Sequence, residues 1–458
     1  MSTILFHYAK VNPTSWAYLS SLLMLALFFK FNRVFSIRNI DLFLLILIAP
    51  GLLLVQWSFE NKQLADNWLD MQRLGFIWLF AVHALLMTRL LLDTAIVRRP
   101  LLEPNLNAAG LAFLGSSLLF FLMSNVVTGT PDRADWTPAL PASEVQAEQE
   151  SGDSFETEGP GYWFLYVLPR IVTQTVVAGA DATPPTTKVT IEEQKQEVRE
   201  ITARVVAILS HVLMVTGLVL IGARHFDNAT AGLAAAATYL LLPYTALWTG
   251  SVEHALPGSL LTWAIVLYRR PLIAGMLIGL ASGTIYYPIF LLPLWCSYYW
   301  ERGFRRFLAG VGITILVLVM TLALTAGSID HFLNHLSQMF GVRLPRMENL
   351  DGIWRGAAGF WNAWYRLPIL AAFVILAISF VAWPVRKHLG TLICCTAALM
   401  VGAQFWHAHG GGIYVAWYLP LYLLVIFRPN LEDRVAVTMV PESWLRGRKR
   451  AQAASATA

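Results

Sequence analysis

The stretch RRPLIAGMLIGLASGTIYYPIFLLPLWCSYYWERGFRR, residues 269–306, poses a geometric problem. About thirty almost wholly apolar residues lie between its charged ends, and as one straight helix they would run roughly 45 Å against a hydrocarbon core of about 30 Å. Arginines crowd both ends, and basic clusters beside a span mark the cytoplasmic side. A single crossing cannot put both ends there. The pattern therefore predicts a hairpin that turns near Gly283 and Tyr286–Pro288, where a helix is readily broken, and returns. Two arms of about thirteen residues would each reach only about 20 Å, less than the core. The tip must then be shielded by protein or face a water-filled cavity, which predicts a cavity near the outer leaflet.

The rest of the chain agrees with a membrane setting. Of 458 residues, 57% are hydrophobic and 13% charged, against about 25% charged in soluble domains. Apolar segments are predicted as spans at 15–29, 41–58, 74–97, 108–128, 201–223, 229–248 and 255–268, then a pair within 271–300. They continue at 305–326, 366–385, 389–408 and 412–428. The expected fold class is an all-α polytopic membrane protein of about 12–13 transmembrane helices. Lys30, Arg33, Arg38, Arg98, Arg99, Arg224, Arg269, Arg270, Arg302, Arg305, Arg306, Arg386, Lys387 and the tail at 446–450 all fall on one side only if 271–300 crosses twice. With that side inside, the N-terminus lies outside and the C-terminal tail is cytoplasmic.

The net charge of +5 does not imply a nucleic-acid partner, because the basic residues form short loop clusters that topology explains. Cys296, Cys394 and Cys395 sit in apolar segments without a CxxC pair, so they define no disulfide framework. The N-terminal apolar run has no A-x-A site after it and reads as a retained helix.

The loops expected outside look different. Residues 129–200 hold thirteen Asp/Glu against five Lys/Arg. Their first part, 129–160, is rich in Pro, Ser and acids and is expected to be partly disordered. Residues 161–177 are short, aromatic at the start and interrupted by Pro169, which predicts an interfacial helix. EEQKQEVRE (192–200) predicts a charged helical lead-in to the next span.

From 201 to 306 the order of features resembles the core of GT-C glycosyltransferases, polytopic enzymes that take a sugar from a polyprenyl-phosphate carrier on the outer face of the membrane. The phrases that carry the likeness are TARVVAILSHVLMVTGLVLIGARHFDNATAGLAAAATYLLLPYT (202–245), GSVEHALPGSLL (250–261) and PLIAGMLIGLASGTIYYPIFLLPL (271–294). HAHGGGIYVAWYLPLYLL (407–424) resembles the closing element of the polyprenol-phosphate-mannose-dependent, mannosyltransferase-like branch. The chain departs from that pattern at Ile285, where the family has lysine, and at Gly250-Ser251-Val252-Glu253, where it often has Gly-Gln-x-Asn/Asp.

The resemblance implies a GT-C-like core over 108–428 including the outer loop 129–200, a three-span extension over 1–107 and a basic cytoplasmic tail over 429–458. It also implies a plasma (bacterial inner) membrane location and a polyprenyl-phosphate lipid donor among the membrane lipids. No cofactor is expected beyond room for a divalent cation. A multi-span transporter and a catalytically inactive GT-C scaffold remain open as alternatives.

The resemblance also places an acid after the first core helix, where a carboxylate deprotonates or orients the acceptor hydroxyl. Asp132 and Asp135 stand there, with Asp153 further along, although isolated acids in polar loops are commonly just solvated. Glu253 and His254 form an ionisable pair in a very short outer turn, a functional candidate at a membrane surface. Tyr286 and Tyr287 at the hairpin tip could hydrogen-bond a phosphate or sugar, or act as aromatic-belt anchors. A lipid-phosphate leaving group calls for cations, for which Arg343, Arg346 and Arg170 are candidates. His407 and His409 flank glycines whose N–H groups could also reach phosphate. His331 and His335 are four apart beside Asp330 but lack a held third ligand for metal. Arg89 and Asp93, also four apart, suit mutual neutralisation or a contact between helices. No Gly-rich nucleotide-phosphate loop appears in the cytoplasmic segments.

Overall fold

The computed structural model describes residues 12–95, 103–129, 160–180, 188–325, 350–355 and 361–441, with a few isolated positions between 329 and 347. Among these residues every regular element is helical, and the one strand-like pairing is a bridge between His388 and Val435.

Local chemistry sets the helix boundaries. Helix α1 (Pro13–Phe28) starts beneath Asn12, whose side chain accepts from the Thr14 amide at 2.9 Å while Pro13 fills the first position. Helices α2 (Ile37–Ile46) and α3 (Ile48–Glu60) are one apolar run broken at Leu47. Pro50 has no N–H to offer the Ile46 carbonyl, which explains the break. After α4 (Trp68–Asp93), Asn107 caps α5 (Ala108–Thr128) by accepting from Gly110 at 2.8 Å. Helix α6 (Pro160–Ala180) covers the predicted interfacial segment, and α7 (Lys188–His225) fuses the charged lead-in with the span behind it. Pro243 then splits the segment expected at 229–248 into α8 (Ala229–Leu241) and α9 (Pro243–Leu247), which lead to α10 (Val252–Val266).

The sequence 269–306 does reverse. Helix α11 (Pro271–Thr284) runs out, and the chain turns at Ile285–Tyr286. It comes back through a 3₁₀ turn, Tyr287–Leu291, and helix α12 (Leu292–Tyr298). The return arm is less helical than the expected thirteen residues because Pro288 and Pro293 remove two amide donors. The two ends of the hairpin meet: the Tyr299 hydroxyl donates to the Tyr268 carbonyl at 2.6 Å. Helix α13 (Phe304–Thr325) lies along α11, and small residues make the approach possible. Gly275 faces the Phe307 carbonyl, Gly310 faces the Leu272 carbonyl, and Thr314 donates to the Met276 carbonyl at 3.2 Å.

Helices α14 (Arg366–Ser379), α15 (Leu389–Gln404), α16 (Leu419–Phe427) and α17 (Ala436–Met439) complete the described chain. Among the described residues, five helical runs are long and apolar enough to cross a membrane: Ile37–Glu60, Trp68–Asp93, Ala108–Thr128, Gln196–His225 and Phe304–Ala323. Shorter apolar helices of 10–17 residues accompany them. The described chain is thus all-helical and suited to a membrane-embedded protein.

Turns that carry the basic residues gather on one face. His225 bonds the Val266 carbonyl at 2.8 Å, Tyr298 donates to the Arg434 carbonyl at 3.2 Å, and Arg434 pairs with Asp227. Near that face, the predicted Arg89–Asp93 contact proves to be part of a larger buried network. Arg89 grips Asp41 with two bonds of 2.7 and 2.9 Å and reaches Asp93 at 2.8 Å. Arg428 binds the second Asp93 oxygen at 2.6 Å, and the Tyr422 hydroxyl donates to Asp41 at 3.2 Å. Two carboxylates and two guanidiniums balance, and the network ties α2, α4 and the end of α16 together.

Two stability predictions follow from these contacts. Replacing Arg89 by Met removes the guanidinium that grips Asp41 and half of the pairing of Asp93; it should cost about 3–5 kcal/mol, seen as a lower thermal midpoint of the purified protein in detergent. Gly310→Val sets a side chain against the Leu272 carbonyl, so it should lower the midpoint while Gly312→Val, with open space around it, should not.

Candidate functional site

At the end of α11 away from the basic turns, three segments far apart in sequence meet: 252–254, 285–287 and 404–417. The pair Glu253–His254 lies in the first turn of α10. The helix contains Pro257, which cannot supply the N–H that would otherwise bond the carbonyl four residues earlier. The Glu253 carbonyl is accordingly taken by side chains, accepting from Trp417 Nε1 at 3.0 Å and the Tyr162 hydroxyl at 3.3 Å. Its carboxylate lies 3.5 Å from His254 Nε2, and its side chain keeps 22% exposure where that of His254 keeps 3%.

His254 is buried rather than displayed at a surface. Its ring is stacked against Trp248 at 5.5 Å and Tyr414 at 4.7 Å, and its Nδ1 contacts the Tyr244 hydroxyl at 2.5 Å. A hydroxyl donating there leaves the proton on Nε2, facing Glu253. Tyr414 in turn stacks on Trp417 at 4.5 Å and meets the edge of His407 at 4.8 Å.

The hairpin tip enters this cluster from the other side. Tyr287 is buried, and its hydroxyl is hydrogen-bonded to His407 Nδ1. That bond turns the hydroxyl inward, toward the cluster. Tyr286 is partly buried, packs on Tyr287 with centroids 4.1 Å apart and meets Trp406 at 5.7 Å. Docking of the tip is helped by Gly283, which lies so close to Gly161 of α6 that a side chain at 161 would meet backbone.

The glycines at 410–412 shape the loop beneath His407. Gly410 and Gly412 take φ of 62° and 101°, in the left-handed region that favours glycine. The Gly412 amide donates to Gln404 Oε1 at 3.0 Å, so this N–H serves the loop itself. His409 is half-buried, with Nδ1 3.5 Å from Asp351 Oδ2, and the Asp351 amide donates to the Ala408 carbonyl at 3.1 Å. The bond from His409 holds the Asp351 carboxyl below the usual carboxylate range.

Arg366, the first residue of α14, was not among the sequence candidates. It is buried and donates to the Trp406 carbonyl from Nε at 3.2 Å and from Nη2 at 2.9 Å, and the Trp406 ring in turn meets Tyr286 and Tyr287. An arginine at the end of a span away from the basic face runs against the usual charge bias, and that signal was available in the sequence. Tyr244, Trp248, Tyr414 and Trp417 were missed because isolated aromatics in apolar segments carry no pattern of their own.

Six sequence candidates therefore come together: Glu253, His254, Tyr286, Tyr287, His407 and His409. Arg170 lies half-buried on α6. Asp132, Asp135, Asp153, Arg343 and Arg346 lie outside the described residues, as do Asp330, His331 and His335. Among the described residues no group of three His, Cys, Asp or Glu side chains is placed to hold a metal ion. Comparison with protein-family models, curated proteins and solved structures gave no match to this chain.

The arrangement can fix one carboxylate beside a neutral or charged imidazole, with a guanidinium nearby. Its rigidity is testable. Tyr287→Phe and His407→Ala each strand a buried polar atom, and each should cost roughly 1–3 kcal/mol. The double variant should cost clearly less than the sum, because one loss removes the other's partner. Thermal unfolding of the four proteins in one detergent measures the coupling.

Proposed function

We propose that this chain is an integral membrane glycosyltransferase that transfers a sugar from a polyprenyl-phosphate donor to an acceptor hydroxyl, at the face opposite its basic turns. The observation that supports the reading best is the setting of Glu253. Its backbone is held by Tyr162 and Trp417, its carboxylate faces His254, and it retains solvent access beside an otherwise buried cluster. A general base needs this combination of fixed position and access to the reacting proton. The GT-C resemblance of the same segments favours a lipid-linked donor.

In this reading the acceptor oxygen attacks the anomeric carbon as the bond from that carbon to the lipid phosphate oxygen breaks, with inversion. The acceptor proton passes to a carboxylate, with Glu253 the candidate among the described residues and Asp132 and Asp135 the candidates in the outer loop. The departing phosphate carries negative charge that Arg366 is suited to stabilise. His254, held by Tyr244 and Trp248, orients Glu253.

A transporter is the second reading, favoured by the buried Asp41–Arg89–Asp93–Arg428 network, since ionisable groups within spans often serve ion coupling. The balance of charges and the bidentate Arg89–Asp41 contact also suit a purely structural role, so the network weighs less than the site at Glu253.

Mass spectrometry of lipid extracts tests the enzyme reading. One polyprenyl-phosphate sugar should accumulate in cells lacking the protein, and again in cells carrying Glu253→Gln. With purified protein, that substitution should lower turnover by about 10²–10⁴-fold. Accumulation with Asp132→Ala/Asp135→Ala but not with Glu253→Gln would move the base to the outer loop. No lipid change in any strain would remove the enzyme reading, and substrate counterflow in vesicles would then examine transport.

A further inference from the structure

A concave site lies on the basic face, remote from the hairpin tip. It is a cleft of about 680 Å³ between the turn after α12, the loop joining α14 to α15, and the segment leading into α17. Its volume is in the range of small-molecule sites. What distinguishes it is the distribution of charge. The loop from α14 to α15 contributes Arg386 and Lys387, while Glu301 and Glu432 come from the other two segments.

The Lys387 ammonium is positioned by its own loop, donating to the carbonyls of Val381 at 2.9 Å and Pro384 at 3.0 Å. Those bonds use two of its three donors and leave one for a ligand. Arg386 is exposed and makes no ion pair among the described residues, and the same holds for Glu301. The site therefore offers two cations and two carboxylates in separate segments of one cleft, without Arg386 and Glu301 neutralising each other directly.

The rim points to the source of the ligand. Trp300 is 71% exposed and Val385 89% exposed, and both line the cleft. Large apolar groups this exposed, at the ends of apolar helices and next to arginines, belong at the boundary between hydrocarbon and water, where Trp is enriched. A soluble metabolite has no use for such a rim, whereas a lipid's glycerol and upper acyl chain would cover it.

We propose that this cleft seats the headgroup of a phospholipid bearing a primary amine beside its phosphate, such as an ethanolamine phospholipid. The phosphate binds Arg386 and Lys387, and the ammonium binds Glu301 and Glu432. The two carboxylates explain the selectivity. They repel a purely anionic glycerol headgroup, and a trimethylammonium has no N–H to donate to them. The inference is independent of the glycosyltransferase reading.

Native mass spectrometry of the full-length protein in detergent tests it, with ethanolamine, choline and glycerol phospholipids of identical acyl chains added in turn. The ethanolamine lipid should be retained about tenfold more tightly than either of the others. Glu301→Gln with Glu432→Gln should erase or invert the preference over the glycerol lipid, and Arg386→Gln should weaken all three. These residues are exposed apart from part of Lys387, and an unchanged thermal midpoint would show that the variants fold. Equal retention of the three lipids, or a preference that the paired glutamine variant leaves in place, overturns the proposal. Displacement of the lipid by soluble phosphoethanolamine at matching concentration overturns its lipid part, leaving an amino-phosphate site of the aqueous phase.

Discussion

A chain that reverses inside an apolar helical bundle must satisfy its own peptide groups, because apolar surroundings offer them nothing. The reversal at Ile285–Tyr286 meets that constraint by keeping its hydrogen bonds local. The Ile285 amide still closes α11 on the Ala281 carbonyl at 3.1 Å, and the Ile289 amide turns back at once to the Tyr286 carbonyl at 3.1 Å. Pro288 between them brings no donor that would need a partner. Packing then encloses the turn: Gly283 admits α6, Tyr287 reaches His407, and Trp406 covers Tyr286. Tyr286 and Tyr287 owe their places in the candidate site to this docking.

The reversal was legible in the sequence because charge and length disagreed over 269–306, and only a return could reconcile them. Helix α5 was legible for a simpler reason: the apolar run 108–128 begins at an asparagine cap and has no proline inside it. Legibility failed where proline acts at a distance. Pro243 cuts a span in two, and Pro257 frees a carbonyl four residues upstream; neither effect shows in a count of apolar residues. The convergence of Glu253, His254, Tyr287 and His407 could be suspected from their places at helix ends. Their partners could not, because Tyr244, Trp248 and Tyr414 look in sequence like any aromatic in an apolar segment. The acids Asp41 and Asp93 illustrate a related failure. Sequence paired Asp93 with Arg89 by spacing, but Asp41 and Arg428 join them only through tertiary packing of α2 and α16.

The two ends of the bundle are held by different physics. Near the basic face the glue is ionic, with Arg89 and Arg428 neutralising two aspartates. Such a network is specific but tolerates little, since removing one member leaves a charge that burial penalises. Around the hairpin tip the glue is a continuous set of rings, from Trp248 through His254, Tyr414 and Trp417 to His407 and Tyr287. Aromatic contacts of this kind give large contact area with few rotatable bonds, so they hold geometry at low entropic cost.

That difference bears on where chemistry can happen. An ion network this closely paired has most of its donors and acceptors committed, and a ligand entering it must break strong contacts first. The ring cluster is bonded internally as well, with Tyr244 on His254 and Tyr287 on His407, yet it ends in one group that is not enclosed. Glu253 has its carbonyl clamped and its carboxylate only lightly held, 3.5 Å from an imidazole. Rigidity is thus spent on placing the backbone, and freedom is left to the charge. A base that must accept a proton and then release it needs that division, because a carboxylate bound by several strong donors would lose the basicity the transfer requires.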